Sequence, residues 1–262
     1  MNKLTLKNRR NQNIVGILTK PESEIIGTAV LQHGYGGKKE HVQIIAIQEA
    51  LLKNGFQVFN FDSPNSFGES DGEYKNARQG LHANDFEDVV NWTQEQDWFI
   101  GKLLVSGHSM GGFASARYTL RNPDVVDFAI PFAPVISGEL IWAGRRIFEP
   151  ESFKQWKKEG IQVQNSISTP GAVKEKPFEV MYEYLNHSLL KEPNETKPML
   201  LIGCEYDTSI PLEFIKIFYK TLEGDKEFKI INGAKHTPRE PEQLEELKNI
   251  INTWLIKKLA EY

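Results

Sequence analysis

The stretch VSGHSMGG, Val105 to Gly112, lies between the apolar run KLLV (102–105) and MGGFASARYTL (110–120), a segment of helical period. It places Ser109 between glycines two residues to either side, Gly107 and Gly111. At a sharp strand-to-helix turn the two backbones nearly touch, so those positions have no room for side chains, and the serine is lifted clear of the sheet. A chain of this length yields roughly 0.1 Gly-x-Ser-x-Gly matches by chance, so the flanks must decide. A good strand before the turn and a good helix after it argue for a strand–turn–helix unit of an α/β fold. The plainer alternative is a glycine-rich turn whose serine only caps the helix.

Working outward, short runs rich in Val, Ile, Leu and Phe recur: GTAVLQ (27–32), FQVFNF (56–61), KLLVSG (102–107), VDFAIPF (126–132), KPMLLIG (197–203) and KEFKII (226–231). Near-continuous apolar runs suit strands of a parallel sheet covered on both faces. Helix candidates lie between and after them, at about 41–53, 84–98, 110–121, 211–222 and 241–260. In the helix candidate holding ANDFEDVVNW, Phe86, Val89, Val90 and Trp92 mark the core side of an otherwise acidic segment. This alternation predicts one doubly wound α/β domain over 1–262. The early TLKNRRNQNIVGILTKP reads as an antiparallel hairpin at the sheet edge. From about Pro134 to Pro193 there is no clear strand, but there are many aromatics, which predicts a small inserted cap.

Composition narrows the function classes. The chain is 40% hydrophobic and 25% charged, with 31 basic against 35 acidic residues, interspersed, for a net charge of -4. Nucleic acid and anionic membranes are therefore poor partners for it. No apolar stretch has signal-peptide or membrane-spanning length, and the single cysteine, Cys204, cannot form an internal disulfide. A cytoplasmic location is expected, and the Asn-x-Ser/Thr matches at Asn91, Asn186 and Asn194 are read as chance.

The chemistry follows from what a serine needs. A free hydroxyl is a weak nucleophile, so catalysis requires a base within reach and donors for the oxyanion formed on attack. HGYGG (33–37) directly follows the strand GTAVLQ, and its backbone N–H at Tyr35, with that of Met110 after the serine, supplies the two donors. No Gly-Lys-Ser/Thr follows it and Gly-x-Gly-x-x-Gly is absent, which argues against a phosphate loop. In the order serine, acid, histidine, LLIGCEYDTSIP places Asp207 just past a strand and INGAKHTP places His236 past the last one. Glu205 is an alternative acid. His33 and His108 flank the centre as substrate contacts or as braces of the glycine turns. Trp142 and the other cap aromatics either line a pocket or form the cap's own core. His41, His82 and His187 lack metal-ligand spacing, so neither metal nor cofactor is expected. Cys204 is read as a small buried apolar residue.

Together these motifs resemble the α/β-hydrolase superfamily, and within it the bacterial cinnamoyl and feruloyl esterase-like branch. The resemblance runs over nearly the whole chain: HGYGGKKEH, FNFDSPNSFGESDGEY, GHSMGG, the insertion, GCEYDTSIP and GAKH. It implies an α/β-hydrolase fold with an eight-stranded, mostly parallel sheet, helices on both faces and an insertion after the sixth strand. It also implies a Ser109–Asp207–His236 triad. The sequence departs at Ser63–Gly68, SPNSFG, where relatives carry a Gly-His-Gly turn, which bears on pocket shape. The expected activity is cofactor-independent cleavage of small to medium carboxylic esters, hydroxycinnamoyl included, through an acyl-enzyme. Thioesters, lactones, short peptides and acyl transfer use the same triad, and a catalytically silent binding protein is the alternative of another class. A small-molecule ester is the expected partner; a homodimer is compatible with the sequence.

Overall fold

The computed structural model describes residues 2–261. Its strands are β1 (Asn2–Lys7), β2 (Asn13–Thr19), β3 (Gly27–Gln32), β4 (Phe56–Asp62), β5 (Lys102–His108), β6 (Phe128–Phe132), β7 (Ile161–Asn165), β8 (Val173–Pro177), β9 (Glu195–Cys204) and β10 (Glu223–Ile231). Its helices are α1 (Val42–Lys53), α2 (Gln79–Gln94), α3 (Met110–Arg121), α4 (Gly138–Phe148), α5 (Pro150–Glu159), α6 (Glu179–Tyr184), α7 (Leu212–Thr221) and α8 (Pro241–Glu261).

Eight strands form one sheet in the order β1-β2-β4-β3-β5-β6-β9-β10. β1 and β2 pair antiparallel as the edge hairpin, β2 meets β4 antiparallel, and all later pairings are parallel. The apolar runs divide between the two faces because side chains alternate along a strand. Val30, Phe59, Phe61, Val105 and Leu201 meet Phe86, Val89 and Phe113 of α2 and α3 on one face. Leu31, Val58, Leu104, Ile130 and Ile202 meet Ile47 of α1 and Ile251 and Trp254 of α8 on the other. All six sequence-read strands and all five sequence-read helices are present, with α2 shifted from the expected 84–98 to 79–94.

Between β6 and β9 lie α4, α5, α6 and one strand pair that the sequence reading did not expect: β7 and β8 form a two-stranded antiparallel sheet of their own. IQVQN and VKEKP alternate, but six of their ten residues are polar or charged and one is proline, so they lack the apolar run that marks the other strands. Their pairing sets Gln162 opposite Lys176 and Gln164 opposite Lys174, four polar side chains on one face.

Candidate active site

Ser109 directly follows β5 with φ 58° and ψ -112°, a left-handed backbone that a residue with a side chain adopts at a cost of about 1–3 kcal/mol. The surroundings hold it there. Its N–H donates to Phe132 O at 2.9 Å, and its carbonyl accepts from Phe113 N at 2.9 Å and Val135 N at 3.2 Å. The flanking glycines are required by contact. A Cβ on Gly107 would lie 2.5 Å from the Gly111 carbonyl, and one on Gly111 would lie 2.4 Å from Gln32 O.

The Ser109 hydroxyl lies 3.0 Å from His236 Nε2, and His236 Nδ1 lies 2.6 Å from Asp207 Oδ2. The other Asp207 oxygen accepts from the N–H groups of Ser209 and Ile210, both at 2.8 Å, so the carboxylate is fixed at both ends. Its side chain is wholly buried. Glu205, the alternative acid, is exposed and accepts from Gly233 N at 2.7 Å, away from the imidazole. The parallel sheet explains why residues up to 127 apart meet: Ser109, Asp207 and His236 all follow the C-terminal ends of their strands, where α/β sheets gather ligands.

The HGYGG loop comes to the same end from β3. Gly34 packs so close that a Cβ there would lie 2.9 Å from the Ser109 Cβ. Gly37 N–H donates to Gly34 O at 2.9 Å, closing a turn with Tyr35 and Gly36 at its centre. Gly36 has φ 59°, and a Cβ there would strike the Tyr74 ring at 2.3 Å. The N–H groups of Tyr35 and of Met110, the first residue of α3, donate to no other group among the described residues. Behind the loop, the Lys39 ammonium lies 2.6 Å from Asp62, with both side chains buried, and it also meets Glu40 and Glu69 at 2.8 Å. The three carboxylates thus converge on a lysine.

Of the other residues singled out by sequence, His108 reaches the cavity edge but serves as a brace. Its Nε2–H donates to the His236 carbonyl at 2.8 Å, and burial holds its pKa well below the ordinary value. His33 is corrected as a substrate contact. Its Nδ1–H donates to Gly34 O at 2.7 Å, its Nε2 accepts from Ser63 N at 2.9 Å, and burial lowers its pKa to about 3. With both nitrogens engaged and the ring fully buried, it holds the loop and lies off the cavity wall. Trp142 is corrected likewise. Its ring packs edge-on against Phe153 and Phe178, at 5.2 and 5.8 Å, in the insertion's own aromatic core.

The cavity over Ser109 has a volume of about 380 Å³. Its wall includes Tyr35, Tyr74 and Tyr184, and a set of charges the sequence reading did not single out: Arg145, Lys174, Lys176, Arg239 and one carboxylate, Glu149. The only early signal for Lys174 and Lys176 was their two-residue spacing, which puts both on one face once the segment is a strand.

Residues 23–192 match the family model Hydrolase_4, described as serine aminopeptidase, S33. A search of curated proteins gives no match. Among solved structures the chain is similar to Est1E from Butyrivibrio proteoclasticus with ferulic acid bound, at 18% identity and TM-score 0.78, covering 98% of this chain and 99% of that one. It is also similar to alpha/beta hydrolase domain-containing protein 10 from mouse, at 20% identity and TM-score 0.76, covering 99% and 100%. An esterase from Pyrococcus furiosus matches at 19% identity and TM-score 0.72, covering 98% and 90%. At these identities the likeness establishes the α/β-hydrolase fold.

Proposed function

The chain belongs to the Hydrolase_4 (serine aminopeptidase, S33) family, and on that premise we propose that it is a cofactor-independent serine esterase acting on small-molecule carboxylic esters through an acyl-enzyme. The observation that carries this reading is the hydrogen-bonded line from Ser109 through His236 to Asp207 at 3.0 and 2.6 Å. His236 Nε2 takes the hydroxyl proton as Ser109 Oγ bonds to the ester carbon, and Asp207 holds the imidazole tautomer and stabilises the imidazolium. The N–H groups of Tyr35 and Met110 receive the oxyanion. The C–O bond to the alcohol breaks as His236 returns the proton to it. A water deprotonated by the same nitrogen then releases the acid and restores Ser109.

An aminopeptidase needs a carboxylate to receive the substrate's terminal ammonium. The single carboxylate on the cavity wall, Glu149, is 2.5 Å from Arg145 and therefore neutralised, while the other wall charges are positive. That arrangement repels an ammonium and favours the ester reading. The test is turnover of a panel of methyl and aryl esters, from acetate to octanoate and including methyl ferulate, beside aminoacyl anilides. It is run on wild type and Ser109→Ala, with fluorophosphonate labelling of both. Ester turnover and labelling that both vanish in the variant are expected. Cleavage of anilides alone would replace the esterase with a peptidase, and an unlabelled wild type that turns over nothing would favour a silent binding protein.

A further inference from the structure

The insertion brings to the cavity more positive charge than the line around Ser109 uses. Arg145, Lys174 and Lys176 come from the insertion and Arg239 from the segment between β10 and α8, and the four share the wall with one carboxylate, in a chain whose net charge is -4. Lys174 and Lys176 hang from one face of the β7–β8 hairpin, with Gln162 and Gln164 beside them as cross-strand partners. Only Arg145 has an acidic partner, Glu149. Lys174, Lys176 and Arg239 make no ion pair with any described residue. The Lys176 ammonium instead stands over three rings, 4.6 Å from the Tyr35 centroid, 5.1 Å from Trp156 and 5.9 Å from Tyr184. Ring faces attract a cation but leave its three N–H donors unmade. Among the described residues the buried Tyr35 hydroxyl beside it makes no hydrogen bond of good geometry, with only the Tyr74 hydroxyl near it.

We propose that the cavity is built for an ester carrying a second, anionic group, and that Lys176, Lys174 and the Tyr35 hydroxyl, with Arg239 adding field, receive that group. This rests on the esterase reading above and adds the substrate class to it. Arg145, Lys174 and Lys176, half-buried together with the exposed Arg239 at the rim, repel one another and raise the energy of the empty site, and an anion relieves that repulsion and fills the unmade donors at once. The strain is legible in the titration of the groups themselves. Burial, with Arg145 and Lys174 adding to it, lowers Lys176 to about 7. Burial and Arg239 push Lys174 down as well. His41, on the same wall, is lowered by burial and by Lys38, Lys174 and Arg239. A carboxylate and a phosphonate offer the same chemistry here and differ in charge and shape.

The experiment compares kcat/KM for matched neutral and charged esters. Monomethyl succinate, glutarate and adipate are set against methyl butyrate, valerate and hexanoate. Methyl 4-phosphonobutyrate tests the other anion, and 4-acetoxybutyrate against butyl acetate puts the charge on the alcohol side. In at least one pair the charged ester should be favoured roughly ten- to a hundredfold, the range of one or two charge-assisted hydrogen bonds. Lys176→Gln and Lys174→Gln should each lower that charged-to-neutral ratio, mainly through KM, Lys176→Arg should restore it, and Lys157→Gln, on the insertion's aromatic cluster, should leave it unchanged. Because the ratio cancels pH effects common to both esters, it should also fall as pH rises through about 7, where Lys176 loses its proton. Binding of monomethyl glutarate and methyl valerate to Ser109→Ala, read by calorimetry, separates the two readings. Neutral esters cleaved with no charged ester favoured in any pair would overturn the anion site and leave the esterase intact. No ester cleaved, with Lys176-dependent binding of the charged compound to Ser109→Ala, would overturn the esterase and keep the anion site.

Discussion

The floor of the cavity, formed where β3, β5, β9 and β10 end, holds its buried charges in pairs, whereas the roof, formed by the β7–β8 hairpin, leaves its lysines without carboxylates. On the floor Asp207 is matched by His236 and two N–H groups, and Lys39 by Asp62. On the roof Lys174 and Lys176 face rings and amides. Paired charges fix geometry, since each partner leaves the other one low-energy position. Unpaired charges fix nothing and keep their donors for a ligand. On the proposed reading, the difference separates the part of the site that would do the chemistry from the part that would choose what reaches it.

The sharpest way to break the comparison is to unpair the floor. Asp207→Asn keeps the shape but presents an amide N–H or a neutral oxygen to the imidazole and favours the wrong tautomer. We expect kcat to fall about 10⁴-fold with little change in KM. A fall of tenfold or less would mean that Asp207 is not the group that orients His236. Next in size is Lys39→Met, which strands Asp62 as a lone buried charge behind the glycine loop. Breaking a buried pair on one side costs about 3–5 kcal/mol, so urea unfolding of the variant should shift accordingly. A shift below 1 kcal/mol would show that the backbone N–H groups of residues 39 and 69, which donate to Asp62 at 2.8 and 2.9 Å, hold its charge without the ammonium.

A smaller effect, per pH unit, comes from the histidines beneath the floor. Burial lowers His33 and His82 to about 3 and holds His108 well below its ordinary value. Their unfolded values lie near 6.5, so below that pH the unfolded chain binds protons that the folded chain refuses. Their contribution is whole above about pH 6.5 and is lost as pH falls toward 3, at up to about 1.4 kcal/mol per pH unit for each. His82→Gln, whose amide can still donate to the His33 carbonyl, should flatten the fall in urea midpoint between pH 6.5 and 4.5. An unchanged slope would mean that His82 titrates normally in the fold.

The same contrast explains what the sequence made legible. The chemistry of the floor demands residue types at short chain spacing next to apolar strands: Gly107, Ser109 and Gly111 after β5, Asp207 after β9, His236 after β10. Each is visible locally, and the parallel sheet brings them together. The roof gave no such signal. β7 and β8 face a wet cavity on one side, where Gln162, Gln164, Lys174 and Lys176 stand, and leave Val163 and Val173 exposed on the other, so no core-facing stripe betrays a strand. The role of Trp142 stayed open between pocket and cap core because aromatic composition is the same for both; only the packing against Phe153 and Phe178 separates them. The sequence pattern starts α2 five residues late for another reason. QGLHA (79–83) carries a glycine and no N-cap side chain of its own, and the group that stabilises its first turn is more than a hundred residues away.

That group, Glu183 of α6, ties the insertion to the start of α2, and testing it should give the smallest effect. Its carboxylate accepts from Gln79 N at 3.0 Å and Gly80 N at 2.9 Å, two of the N–H groups a helix start leaves open, and from His187 Nε2 at 2.6 Å. Burial opposes its charge, but these hydrogen bonds outweigh burial and hold its pKa below the ordinary value. A carboxylate there also meets the positive end of the α2 dipole. Glu183→Gln keeps one acceptor oxygen and loses the charge, so we expect about 1 kcal/mol of stability to go. The informative readout is local. If the insertion is held over the floor through this contact, amide exchange should quicken both in 79–83 and in β7–β8. If exchange quickens at the helix start alone, the roof is held by its other contacts, and Glu183 is only a cap supplied from a distance.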